Sequence, residues 1–371
     1  MPISASRFAS ALAWSRASER TAVTCAGFDR QPIGSDMRLA ESPPTVDSAE
    51  EDGSRPGNSS GTRRLPTRLA LGAGKLLLSG GLIGYLLYRH GLSHERLASI
   101  DLTLGAAALA VFVLQVALAT LRWRILLAHI GGTRPPFRRL FRVYYASAFF
   151  SQVLPSIGGD LARISYARML GTTAGPIVVS VLIDRGVGIA ALLFLALASL
   201  GFLAPFDPGH TVLRSIAVVA GGGLVAAYGG CLIARVMRYS RIWRALPPWI
   251  RTFIASCDWS LTSRVGLACL MPLYALGHLM SITAIFFAAH AVQVPLTLST
   301  VLAIGPVIVL AQVLPVSVGG WGVREAAAVT LLAMTGIDAA SALLVSITFG
   351  VLILLATSPG VLFWLMLRNR G

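Results

Sequence analysis

The chain has 371 residues, of which 55% are hydrophobic and only 13% charged, with a mean hydropathy of +0.72 and a formal net charge of +15. That balance excludes an ordinary soluble domain, and apolar stretches of about 20 residues recur along the chain, each long enough to cross a hydrocarbon core of about 30 Å. An all-α, polytopic membrane protein is expected. The four cysteines, Cys25, Cys231, Cys257 and Cys269, show no CxxC or other ligand spacing. They support no metal site, no disulfide framework and no redox chemistry, so no cofactor is expected.

Residues 1–65 are rich in Ser, Pro, Gly and Arg and poor in large apolar side chains, the composition of a disordered tail. Their charges cancel, eight Arg against eight Asp and Glu, so the net charge belongs to residues 66–371, with 23 basic against 8 acidic groups. The apolar stretch at 11–14 is too short for a signal peptide, and Met37 is an alternative translation start.

From residue 66 onward, candidate spans fall at about 69–88, 102–121, 176–204, 211–234, 265–289 and 339–366. Arg122, Arg124, Arg134, Arg138, Arg139 and Arg142 crowd the predicted loop 122–142, and six more Arg fill the loop 235–264. By the positive-inside rule both loops are cytoplasmic, as are both termini, and no nucleic-acid partner is needed to explain the charge. The segment 235–256 combines Arg with Trp243, Trp249 and Ile250 and reads as a surface helix broken at Pro247 and Pro248.

Between the spans, one tetrapeptide occurs twice. QVLPSIGGDLAR begins at Gln152 and QVLPVSVGGWGVRE at Gln312. Pro155 with Gly158 and Gly159, and Pro315 with Gly319 and Gly320, cannot continue an unbroken helix, and the small residues Ser317, Gly319 and Gly320 would allow close backbone approach at the second break. The apolar pieces 143–170 and 298–336 are therefore expected as broken hairpins that enter and leave on one side, the first cytoplasmic and the second outer, although two full crossings each also satisfy the loop charges. Six spans plus two re-entrant hairpins result, or eight spans in the alternative. The halves, about 102–204 and 265–366, then form an inverted-topology repeat, with the sites at the breaks.

LPSIGGDLARISYARMLG, VVSVLIDRGVGIAALLFLA and VLPVSVGGWGVREAAAVTLLAMTG closely resemble the membrane domain of the lysylphosphatidylglycerol synthases, or multiple peptide resistance factors, and their stand-alone flippase-like relatives. The resemblance covers about 69–366. It implies movement of lipids between leaflets, with aminoacylation confined to a soluble C-terminal domain that this chain, ending at Gly371, is expected to lack. Where the first half has Asp184 and Arg185 ahead of Gly188, the comparable Ser346, Ile347 and Thr348 ahead of Gly350 carry no charge.

The residues also allow a reading without the family. Asp160 suits an N-cap of the helix holding Arg163, or, together with Arg163 and free N–H groups at the break, a site for a lipid phosphate. Arg324 and Glu325 suit either substrate contact or a pair that only neutralises buried charge. Asp184 and Arg185 interrupt a span, a functional signal unless the span starts late and leaves them at the interface. Lys75, His278 and His290 are weaker candidates.

The leading expectation is a lipid translocator in the cell membrane whose Arg163, Arg185 and Arg324 attract an anionic head group. A lipid-modifying membrane enzyme and a non-catalytic partner of a lipid-processing enzyme are the alternatives. No HxxxH cluster, DxD pair or Ser/His/Asp set lies near the motifs to support an enzyme. Without a Walker sequence, energy coupling is either protonic, through Asp160, Asp184 or Glu325, or absent, as in a scramblase.

Overall fold

A computed structural model of the chain describes residues 100–132, 134–154, 158–313 and 319–368. The tail 1–65, the candidate span 69–88, and Pro155, Pro315 and Ser317 lie outside the described residues. Among those described, all regular structure is helical. Five stretches are long and apolar enough to span a membrane: Leu102–Gly131, Ala174–Ala198, Thr211–Met237, Gly266–Ala291 and Ala339–Arg368.

Helix α1 (Leu102–Gly131) starts where Asp101 accepts hydrogen bonds from the backbone N–H of Thr103 (2.8 Å) and Leu104 (3.2 Å), and stops at Gly132 in the left-handed region (φ 62°). The expected span end at residue 121 is thus corrected. Thirty residues make a rod of about 45 Å, and Arg122 and Arg124 stand inside it rather than in a loop.

Two short helices follow, α2 (Phe137–Val153) and α3 (Gly158–Ala167), packed on each other as the first hairpin. The returning limb of 10 residues is about 15 Å long, half of what a crossing needs. A Cβ on Gly159 would sit 1.8 Å from Ser151 Oγ and 2.6 Å from the Ser147 carbonyl. Gly159→Ala is therefore expected to destabilise by about 1–3 kcal/mol through overpacking. Gly175→Ala, with nothing within 4 Å of the added carbon, should leave the thermal midpoint unchanged, and equal midpoints for the two variants would refute the tight hairpin.

Helix α4 (Ala174–Ala198) carries Asp184 and Arg185 near its middle. After α5 (Leu200–Leu203) comes α6 (Thr211–Met237), whose Val218, Val225 and Ile233 lie exposed. In a membrane such a face meets lipid, and its apolar surface needs no protein cover. Next come α7 (Arg241–Ala245) and α8 (Pro248–Thr262), separated at Leu246 and Pro247 as the sequence suggests. Asp258 of α8 accepts hydrogen bonds from Arg235 Nε (2.7 Å) and Arg238 Nη2 (3.0 Å), tying α8 to the end of α6.

The second half repeats the order of the first. Helix α9 (Met271–Ala291), entered through one π turn at Gly266–Leu270, is followed by the hairpin of α10 (Leu298–Val313) and α11 (Val323–Ala333). Then come α12 (Ala339–Thr357) and α13 (Gly360–Arg368). The leading helices of the two halves, α1 and α9, run antiparallel. The N–H of Asp101 donates to the Ala291 carbonyl (2.7 Å), while further along Gln115 Nε2 donates to the Gly277 carbonyl (2.9 Å) and Ser281 Oγ (2.7 Å). Opposed directions of equivalent elements are what an inverted repeat requires. Edge-to-face contacts among the rings of Phe141, Tyr145 and Phe363 hold α13 on α2 and brace the first hairpin.

Candidate functional site

Three apolar clusters meet around a group of charges. The first, with Phe112, Leu192, Ile285, Val301 and Phe349, joins α1, α4, α9, α10 and α12. The second, with Trp123, Leu140, Tyr145 and Ile177, joins α1, α2 and α4. The third, with Leu126, Ile183, Cys231, Leu261 and Tyr274, joins α1, α4, α6, α8 and α9.

Asp184, 5% exposed, is the hub. Its Oδ1 accepts hydrogen bonds from Arg122 Nε (3.1 Å) and the Tyr274 hydroxyl (2.7 Å), and its Oδ2 from Arg163 Nη1 (2.8 Å). Both guanidinium groups lie on aromatic faces, Arg122 over Tyr274 at 3.7 Å and Arg163 over Tyr144 at 4.0 Å. Arg163 Nε donates to Ser147 Oγ (3.1 Å), and the Ser147 hydroxyl donates to the Gly159 carbonyl (2.7 Å), so the hairpin itself orients the arginine. Beside them Arg185 Nε donates to Asp160 Oδ2 (2.5 Å).

Asp160 thus stands inside the first turn of α3 and pairs with Arg185, a correction to its expected N-cap position. Counting formal charges, Arg185 and Asp160 cancel, while Arg122, Arg163 and Asp184 leave one positive charge over. Burying an unbalanced charge costs several kcal/mol, so such a site has reason to take an anion.

Arg324 and Glu325 form a separate centre and share no ion pair with the first among the described residues. Both are fully buried and bonded to each other. Arg324 Nε also donates to Ser346 Oγ (3.2 Å), while Glu325 Oε2 accepts from the Gly322 N–H (2.5 Å) and Oε1 from the Ser346 hydroxyl (3.2 Å). Arg163 and Arg324 each lie five residues after the first glycine of their pair, and Asp184 and Ser346 each lie four before Gly188 and Gly350. The two halves therefore build the same arginine contact, but the second half takes its carboxylate from the residue next door. Arg324 is an internally neutral pin, and the first half alone carries the surplus charge.

Between the halves lies a cavity of about 210 Å³ lined by Gln115, Arg122, Gln152, His278, Ser281 and Gln312, among others. Gln152 and Gln312 open the two copies of the tetrapeptide. The motifs touch: a Cβ on Gly319 (φ 57°) would lie 2.8 Å from the Gln152 carbonyl, and one on Gly320 (φ 83°) 2.5 Å from Gln312 Cγ. His278, a weak candidate by sequence, holds its Nε2 at 2.9 Å from the Gly188 carbonyl. A second cavity of about 380 Å³, near Cys231, Trp243 and Cys257, is larger and apolar. Burial pushes the Cys257 thiol up to about 12, so it stays protonated and unreactive.

Sequence reasoning grouped Arg163, Arg185 and Arg324 at one head-group site; the structure keeps Arg163 and Arg185 beside Asp184 and Asp160 but pairs Arg324 with Glu325 instead, and Arg122, Tyr274 and the two glutamines were missed as site residues. Gln115 and Arg122, seven apart and so on one face of a helix, were the available signal.

Antiparallel halves and paired helix hairpins around an internal cationic centre describe an all-α polytopic membrane protein. Residues 72–360, more than three quarters of the chain, match the family model described as the lysylphosphatidylglycerol synthase TM region, and the chain belongs to that family. Membership relates this multi-pass membrane protein to lipid handling. No curated protein and no solved structure gave a match.

Proposed function

We propose that this protein is a flippase-like translocator that moves a lipid with an anionic or phosphate-bearing head group between leaflets of the cell membrane, with both termini cytoplasmic. The supporting observation is the surplus positive charge of Arg122 and Arg163 over Asp184, set beside a cavity to which both halves contribute. The head group enters the cavity, Arg122 takes the phosphate as a charge-assisted contact, and the tails remain in lipid. A cavity of about 210 Å³ is below the usual range of about 300–1,000 Å³ for sites that enclose a drug-sized ligand, which suits a head group alone.

Asp160, Asp184 and Glu325 are each held by an arginine, so proton coupling through any of them must first break an ion pair. Among the described residues of the site, no hydrogen bond joins a nucleophile to a histidine base, which favours transport over lipid modification, and a lipid-processing enzyme is a natural partner.

Reconstitution into liposomes tests the reading. Phosphatidylglycerol with a labelled head group, placed in one leaflet, is expected to equilibrate at least tenfold faster with the protein than in protein-free vesicles. Equal rates for every phosphate-bearing lipid tried would remove the translocator reading.

A further inference from the structure

Two amides in the cavity have no role in the reading so far. Gln312 Oε1 is buried without a hydrogen-bond partner, and Gln312 and Gln152 both line the cavity that holds Arg122. Their positions are set by backbone: the Gly319–Gly320 pair of the second motif packs so closely on both glutamines that no side chain fits between. An unpartnered buried amide oxygen carries a desolvation penalty of about 1–3 kcal/mol, which a ligand bringing the complementary group would relieve.

We propose that Gln152 and Gln312 read a hydroxyl on the head group whose phosphate Arg122 holds, so that the cavity selects uncharged polyol phosphate heads over heads bearing an ammonium. This rests on the lipid reading above and narrows it to a substrate class. A primary amide offers both donors and an acceptor, and a hydroxyl answers with both in return. An ammonium can donate to the orphaned oxygen as a hydroxyl does, but it accepts nothing, so an amide N–H turned toward it goes unmatched.

Charge argues the same way. Among the described residues that line the cavity there is no carboxylate. The seven described ones are all engaged: Asp160, Asp184, Asp258 and Glu325 in ion pairs, and Asp101, Asp207 and Asp338 on backbone N–H groups at helix starts. A head group with a positive end would place a second cation beside Arg122 with nothing to balance it. The family's description names a lysyl lipid, whereas the chemistry of this cavity selects against one.

The experiment measures thermal stabilisation of the full-length purified protein by short-chain phosphatidylglycerol, phosphatidylethanolamine, lysyl-phosphatidylglycerol and water-soluble glycerol phosphate. Phosphatidylglycerol is expected to stabilise at a concentration roughly tenfold lower than either ammonium lipid, the size of effect that one mismatched buried polar contact produces. Gln312→Leu should shrink that preference to about twofold or less, and Gln312→Glu, which supplies the missing carboxylate, should reverse it. Equal or tighter binding of the lysyl lipid by the unmodified protein overturns the proposal, and an undiminished preference in Gln312→Leu does so too. An equal response to glycerol phosphate overturns the lipid assignment. Selective binding without leaflet exchange in liposomes would remove the translocator reading and leave the selectivity standing, whereas exchange of all head groups at one rate does the reverse.

Discussion

Asp184→Asn is expected to destabilise the protein far more than Arg122→Gln, although both changes remove one end of the same ion pair. Without Asp184 the guanidinium groups of Arg122 and Arg163 lose the carboxylate they share, and the Tyr274 hydroxyl loses its anionic acceptor. Breaking a buried pair from one side typically costs about 3–5 kcal/mol. Arg122→Gln leaves Arg163 and Asp184 as a neutral pair at 2.8 Å. It forfeits mainly the stack on Tyr274, about 0.5–2 kcal/mol.

Function separates the two in the opposite sense. The Arg122→Gln protein folds but has lost the surplus charge that attracts the phosphate, so exchange should fall by at least tenfold. Thermal unfolding in detergent alongside leaflet exchange decides it. An Asp184→Asn protein as stable as the parent, or an Arg122→Gln protein that still transports, contradicts the charge count.

The broken hairpins were legible because proline and paired glycine are local instructions, and the twofold repeat because the tetrapeptide is spelled twice. The end of α1 was not. Hydropathy drops at Arg122 and Arg124, yet the apolar run resumes with Ile125, Leu126 and Leu127, and the true stop is the glycine pair Gly131 and Gly132. A buried arginine and a loop arginine look alike until the partner is known, and the partner, Asp184, lies 62 residues away.

Gln152 and Gln312 stood in the repeated motif, but their place on a common cavity depends on the approach of Gly319 to the first hairpin, a contact between halves that no local pattern encodes. The roles of Arg163 and Arg324, matched in position, diverged for a reason visible in sequence. Ser346 replaces the carboxylate of Asp184, and Glu325 stands beside Arg324.

That relocation of the counter-charge gives the last expectation. Arg324→Gln strands Glu325, which has no exposure and keeps only the Gly322 N–H and the Ser346 hydroxyl as donors. Glu325→Gln strands Arg324, already with Nη1 unpartnered and enclosed by Trp321, Phe349 and Gly350, where even a Cβ on Gly350 would clash with its Nη2. Each single change should cost about 3–5 kcal/mol. The double change Arg324→Gln/Glu325→Gln replaces a buried ion pair with two neutral amides that can bond each other and Ser346, and should recover most of the stability. Because the pair is neutral and stands apart from the cationic centre, transport should return with the fold. A double variant as stable as the parent yet inactive in leaflet exchange would show instead that Arg324 meets the lipid, and would move the binding site into the second half.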